Sequence, residues 1–268
     1  DQRTDHDAHR GVENGQGAGG QGRGHGDEGT IEKGLERRNL LYRQDEVRTK
    51  SFAANIDQVL ILIAAEPVFS ESQLARALIA AEAAGIPPII ALNKSDLTAP
   101  FAQAWERLAA YRAITDGEGQ PHYRTLGLNL AQPSDAQTAL LAQLFADKAT
   151  LVLGPSGSGK STLINLLIPQ AQAATGEISQ ALNSGRHTTT TTTWYWLDGA
   201  RRSALIDSPG FQEFGLRHIA PTALAHFMPD IHQHASSCKF YNCTHLHEPG
   251  CAVLAQVGPG INAQRHRL

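Results

Sequence analysis

From residue 57 onward the chain alternates short, continuous apolar runs with longer amphipathic stretches. QVLILIAA (58–65) has the length and composition of a buried strand, whereas SESQLARALIAAEAAG (70–85) repeats its apolar residues at helical spacing. Ser70 is placed to cap that helix and Gly85 to end it. PPIIALNK (87–94), YRTLGLN (123–129), ATLVLG (149–154), TWYWL (193–197) and SALIDS (203–208) predict further strands. Helices are predicted over about 101–113, about 134–147 and after Lys160. Strands that alternate with helices imply an α/β fold with a mostly parallel sheet covered on both faces. From 218 the apolar runs shorten and His and Cys become frequent, so a domain boundary is expected near 217. Residues 1–30, with GQGAGGQGRGHGDEG at 15–29, hold too few apolar groups to build a core and predict a flexible or degenerate segment. His6, His9 and His25 are read as part of that polar tail rather than as a metal site.

Composition narrows the classes. At 268 residues the chain can form one large domain and a smaller one, and 41% apolar with 18% charged residues describes a globular protein. No run approaches the roughly 18 apolar residues of a membrane span, and the N-terminus lacks a basic-then-apolar leader. A cytoplasmic protein without membrane attachment is expected. The net charge of −3 shows no bulk attraction to nucleic acid, but leaves a local patch open. The three cysteines, Cys238, Cys243 and Cys251, all lie within one short segment, which suits a metal better than a disulfide framework.

Gly154-Pro155-Ser156-Gly157-Ser158-Gly159-Lys160-Ser161-Thr162 fits G-x-x-x-x-G-K-[ST] and stands between a predicted strand and a predicted helix, where a phosphate loop belongs. Its glycines let backbone N–H groups turn towards phosphate oxygens, and the helix N-terminus adds partial positive charge. Lys160 is expected to reach the β- and γ-phosphates, and the Ser161 hydroxyl to ligate Mg²⁺. The loop alone would equally suit an ATPase of the ABC-transporter class, but no LSGGQ-like signature follows.

Asn93-Lys94-Ser95-Asp96 closes the strand PPIIAL and has the N-K-x-D form of a guanine reader. Asp96 would accept from N1–H and the 2-amino group, Asn93 would brace the loop, and the Lys94 stem would lie along the ring. Taken alone, the tetrapeptide could be a turn that starts a helix. Asp207-Ser208-Pro209-Gly210 follows the strand SALI as a D-x-x-G motif, Asp207 facing Mg²⁺ and Gly210 the γ-phosphate. Between the phosphate loop and this motif, Gly185-Arg186-His187-Thr188-Thr189-Thr190 extends in threonine to Thr193. The first threonines, Thr188 for magnesium and Thr189 for the γ-phosphate, suit a switch I loop, and the last ones suit the strand TWYWL. Phe211 follows D-x-x-G, where Ras-like GTPases place a water-orienting glutamine, and Gln212 comes one residue late. His187 is therefore the candidate for holding the attacking water. The motif order is rotated: N-K-x-D precedes the phosphate loop by about sixty residues.

Cys238-x4-Cys243-x-His245-x5-Cys251 supplies a Cys3His set, whose four protein ligands suit a structural zinc. His247 rivals His245 as the fourth ligand, and His232 and His234 are weaker rivals.

This succession of N-K-S-D, phosphate loop, H-T-T-T, D-S-P-G and the cysteine module resembles the circularly permuted ribosome-biogenesis GTPases of the RsgA (YjeQ) family. RRNLLYRQDEVRTKSFAANIDQVLILIAAEP (37–67) is similar to that family's lead-in, and the resemblance covers roughly residues 29–255. It implies a monomeric GTP hydrolase that binds GTP and GDP with Mg²⁺, carries one structural zinc, and acts on the small ribosomal subunit and its rRNA late in maturation. It also implies stimulation of a slow intrinsic turnover by that subunit. The alternative is an RNA-associated scaffold that binds GTP with little turnover. The family carries an oligonucleotide-binding β-barrel first, whereas about 50 residues precede Ser51 here, so a truncated barrel remnant is expected. The expected division is 1–50 remnant, 51–217 circularly permuted GTPase domain and 218–268 zinc-binding domain. Ser158 stands where the family usually has Val and Thr162 where it usually has Ser, and LGLNLAQPSD (126–135) replaces the expected Ser-Ala-type fifth motif.

Overall fold

The computed structural model describes residues 34, 36–171, 192–209 and 214–267, and all that follows concerns the compact unit Arg37–Leu268. Its chain order opens with β1 (Leu40–Gln44) and β2 (Thr49–Ala54), an antiparallel hairpin with a bulge between Leu41 and Tyr42. Ser51 lies inside β2. The alternating part follows as β3 (Gln58–Ala64), α1 (Glu71–Ala83), β4 (Pro88–Asn93), α2 (Thr98–Arg107), α3 (Ala109–Arg112) and β5 (Arg124–Gly127). It continues with α4 (Asp135–Phe145), β6 (Ala149–Leu153), α5 (Lys160–Leu167), β7 (Thr193–Trp196) and β8 (Ala204–Asp207). The six-stranded sheet runs β5-β4-β3-β6-β8-β7, parallel throughout except for the antiparallel edge pair β7–β8.

The position of the central strand explains why its sequence is apolar from Val59 to Ala64. All seven residues of β3 are buried, and successive side chains enter opposite layers. Val59, Ile61 and Ile63 join Leu74 and Leu78 of α1, Leu108 and Tyr111 beside or in α3, and Phe52 of the hairpin. Leu60 and Leu62 join Leu141, Leu144 and Phe145 of α4 and Leu163 of α5. The helix ends obey local chemistry. Ser70 Oγ accepts from Gln73 N–H, and Gly85, at φ +65°, donates to Glu82 O as α1 terminates. Ser134 caps α4 in the same way.

Beyond β8 come a 3-10 turn (Pro221–Phe227) and the short helices α6 (Pro229–Ala235), α7 (Ala252–Gln256) and α8 (Ala263–His266). They enclose a third apolar cluster, with Ile219, Met228, Ile231, Val253 and Ile261, which leans on Ile79 of α1. One buried ion pair fastens the end of this segment. Arg265 donates to both carboxylate oxygens of Asp230, at 2.8 and 3.0 Å, and its guanidinium lies 4.8 Å from the Tyr111 ring centroid. Among the described residues no helix is long and apolar enough to cross a membrane.

Asp230→Ala leaves the Arg265 charge buried and unpaired, so a stability loss of about 3–5 kcal/mol is expected in urea unfolding. A loss below about 1 kcal/mol would mean that the pair is not a fastening.

Candidate functional site

Three loops meet at the C-terminal end of the parallel strands, and a single carboxamide ties them. Asn93, the last residue of β4, is 4% exposed. Its Nδ2 donates to Ser158 O in the phosphate loop at 3.0 Å, and its Oδ1 accepts from Leu130 N–H at 3.1 Å. The phosphate loop (154–159) links β6 to α5. Gly159 takes φ +105°, and a Cβ there would stand 2.3 Å from Asn93 Nδ2, so only glycine fits. Lys94 adopts φ +68°, and Ser95 N–H donates to Leu128 O at 3.0 Å. The loop after β4 is thereby pinned to the loop after β5, with the Asp96 carboxylate exposed at its far end. The weak fifth motif lies beside the guanine-type loop through its backbone: Leu128 offers a carbonyl and Leu130 an N–H.

Lys160 opens α5, and its Nζ donates to Gly154 O at 2.8 Å and Pro155 O at 2.9 Å. An ammonium has three donors, so one N–H remains for a phosphate oxygen. Burial lowers its pKa to about 8, against the opposing pull of the Asp207 carboxylate. Asp207 ends β8 opposite Val152 of β6, and the adjacent Ser208 Oγ donates to Val152 O at 2.7 Å. Burial raises the Asp207 pKa, Lys160 pulling it down, and its Oδ1 is buried without a hydrogen-bond partner. A buried, unpartnered carboxylate oxygen near the start of α5, where Ser161 offers a hydroxyl, fits a hard cation such as Mg²⁺. The Ser158 hydroxyl, also buried and unpartnered, marks where this loop departs from an apolar residue. Pro155, Ser156, Gly157 and Thr162 complete the loop and the first turn of α5, Ser156 being exposed. His187, Thr188, Thr189, Gly210, Phe211 and Gln212 lie outside the described residues, as do His6, His9 and His25.

The cysteine module gathers a second constellation. One ligand atom each from Cys238, Cys243, His245 and Cys251 falls within 4.8 Å of the others. Cys238 and Cys251 Sγ stand 3.9 Å apart, and each lies 3.5–3.6 Å from His245 Nδ1. A tetrahedral zinc with bonds of about 2.3 Å to sulfur and about 2.0–2.1 Å to nitrogen separates its ligands by about 3.8 Å (S–S) and about 3.5 Å (S–N). The donor set therefore fits. His247 and His232 are exposed and His234 is half-buried, and all three lie outside the cluster. The supporting carboxylate of Glu248 had no signal in the sequence. It accepts from the backbone N–H groups of Thr244, Leu246 and His247 and from the Thr244 hydroxyl, which holds its pKa well below the usual carboxylate range. Cys251 Sγ caps α7 by accepting from Leu254 N–H, and His266 Nε2 bonds His245 O at 2.9 Å.

The geometry meets its relatives here. Residues 34–217 match the family model described as RsgA GTPase. The chain belongs to the RsgA GTPase family. Its members are hydrolases acting on GTP. The chain is 67% identical over 247 residues to the small ribosomal subunit biogenesis GTPase RsgA of Variovorax paradoxus (strain S110), covering 90% of this chain and 76% of that protein. It is 54% identical over 245 residues to the protein of the same name from Burkholderia mallei (strain SAVP1), covering 90% and 74%. Among solved structures, YjeQ from Thermotoga maritima superposes with a TM-score of 0.67 at 25% identity, covering 88% of this chain and 74% of that one. YloQ, described as a circularly permuted GTPase, gives 0.61 at 28% identity, covering 87% and 70%. The rotated motif order is thus a property of the fold family, and the sheet that carries it is the one described above.

Two outcomes follow from this chemistry. Free Lys160 loses its proton near pH 8, while phosphate favours the charged form, so nucleotide binding takes up a proton at alkaline pH. GDP affinity is expected to fall about tenfold between about pH 7 and pH 9, measured by fluorescent-nucleotide titration; a flat profile would mean the ammonium stays charged throughout. Protein purified without chelator is expected to carry close to one zinc per chain by elemental analysis. Cys243→Ala should release it and His247→Ala should not, and loss of zinc from His247→Ala would change the ligand assignment.

Proposed function

We propose that this chain is a GTPase that binds the small ribosomal subunit and assists its late maturation, with turnover stimulated by the subunit. The observation that carries the reading is the Asn93 bridge, which holds an N-K-x-D loop against a phosphate loop; the small-subunit part follows the names of its relatives. In this reading Asp96 accepts from N1–H and the 2-amino group of guanine, a pattern that adenine lacks, and the Lys94 stem covers the ring. The backbone of 154–159 and the Lys160 ammonium hold the phosphates. Ser161, Thr188 and Asp207 hold Mg²⁺, which when bound supplies positive charge against the β- and γ-phosphate oxygens. Thr189 and Gly210 face the γ-phosphate. Phe211 cannot orient water, and His187 takes that task. Cys238, Cys243, His245 and Cys251 hold one structural zinc.

We further divide the chain into an N-terminal segment (1–50), a GTPase domain (51–217) and a zinc-binding domain (218–268), and read it as a cytoplasmic monomer. The edge strand β7 supports an rRNA contact: Trp194 and Trp196 are 40% and 43% exposed with ring centroids 5.2 Å apart, a surface on which bases can stack. Phe211 gives weight to one other reading, a GTP-binding RNA-associated scaffold with little turnover.

GTP hydrolysis measured with and without purified small subunits separates the two. Stimulated turnover is expected for the wild-type chain, and His187→Ala should lower the stimulated kcat at least about tenfold, or about 1.4 kcal/mol of barrier, at nearly unchanged GTP affinity. Absence of stimulation would favour the scaffold, and a fully active His187→Ala would remove that residue from the mechanism.

A further inference from the structure

Between Cys243 and Cys251 the chain turns back on itself and has to present His245 on the way. Four successive backbone N–H groups, 244–247, lie in that turn, and two acceptors divide them. Thr244 N–H donates to Glu248 Oε1 at 2.9 Å, and the Thr244 hydroxyl donates to the same oxygen. Leu246 and His247 N–H donate to Oε2 at 3.2 and 3.3 Å. The His245 N–H goes instead to Cys243 Sγ. His245 itself sits at φ +62°, a left-handed conformation that is costly for a residue with a Cβ. Residues on both sides of it are bonded to one carboxylate, so relaxing out of that conformation strains those bonds. The result is a buried imidazole whose Nδ1 stands 3.5 Å from Cys238 Sγ and 3.6 Å from Cys251 Sγ. Glu248 is not one of the four ligand donors. Its Oε2 stands 3.8 Å from Cys243 Sγ, and both its oxygens are already engaged by the turn.

We propose that Glu248 is a positioning residue for zinc, whose carboxylate holds the 244–247 turn in its ligating shape through bonds that do not involve the metal. Zinc then binds a set already assembled, and the cost of ordering the turn falls on the chain rather than on metal affinity. The chemistry asks for a carboxylate. All four groups aimed at Glu248 donate, and an ionised carboxylate accepts at both oxygens. A glutamine amide can serve one pair of donors but turns its own N–H groups towards the other pair. The inference rests on reading Cys238, Cys243, His245 and Cys251 as a zinc site.

The test compares the full chain as wild type, Glu248→Gln and Glu248→Ala. Each is stripped of metal by a chelator under reducing conditions, then titrated with Zn²⁺ against a chromophoric chelator and separately with Co²⁺. GDP binding checks that each variant is folded. Zinc affinity is expected to fall at least threefold in Glu248→Gln and at least tenfold in Glu248→Ala, at about 0.1 M and at about 1 M salt alike. At saturation the Co²⁺ d–d and thiolate charge-transfer bands should match wild type, because the ligands themselves are unchanged. If Glu248→Ala does not fold, Glu248→Gln against wild type decides. A fall of less than threefold in Glu248→Gln, even with a lower melting temperature, would overturn the proposal and leave Glu248 as a stabiliser of the turn with or without metal. So would a loss that disappears at high salt, which marks a distant charge effect, or weakened thiolate bands, which mark a lost ligand. Wild-type protein that takes up neither Zn²⁺ nor Co²⁺ would instead defeat the zinc reading, and the proposal with it.

Discussion

The arrangement of the site depends on one buried carboxamide. Asn93 uses both ends of its side chain, accepting from Leu130 N–H and donating to Ser158 O, and has almost no contact with water. Removing it would leave a backbone donor and a backbone acceptor unpaired in the protein interior, each costing about 1–3 kcal/mol. The bond also sets distances. It fixes the guanine-type loop of β4 to the phosphate loop of β6 across the central strand β3. Two halves of a nucleotide can be read together only if such a strut spans the strand between their readers.

Around that strut, electrostatics are left incomplete in a directed way. Lys160 is shielded from water and spends two donors on its own loop, while Asp207 keeps a buried oxygen unmatched. Both charges are costly where they stand, and a phosphate with its cation would relieve both. The C-terminal module follows the opposite logic. The Cys3His atoms already stand at the spacing of a closed tetrahedral set, and the Glu248 carboxylate gathers the turn between two of the ligands. One constellation is built to release what it binds and the other to keep it.

The sheet was legible because a parallel strand buried on both faces has to be nearly all apolar, as 59–64 is, and because a helix announces itself through a cap such as Ser70. The phosphate loop, the N-K-x-D loop and the Cys3His set were legible because their chemistry resides in residue type and spacing. The hairpin was not read as a unit. Of its eleven strand residues only Leu41, Phe52 and Ala54 are buried, and that mixture has no clean period. The backbone of Leu128–Leu130 escaped for another reason: an N–H and a carbonyl look alike in every residue, and only the pairing of β5 with β4 brings them to Asn93. The Glu248 clamp and the Arg265–Asp230 pair likewise join residues that sequence spacing does not relate.

The segment after β8 is held at three separate places: at Gln44 through Leu216, at Ile79 of α1, and at Tyr111 beneath Arg265. Three anchorages that do not share an element leave it no axis about which to swing. Phe240 and Tyr241, exposed beside the Cys3His cluster, therefore stand at a set separation from Trp194 and Trp196 on the sheet edge. A partner that engages both aromatic surfaces has to present two features at that same interval.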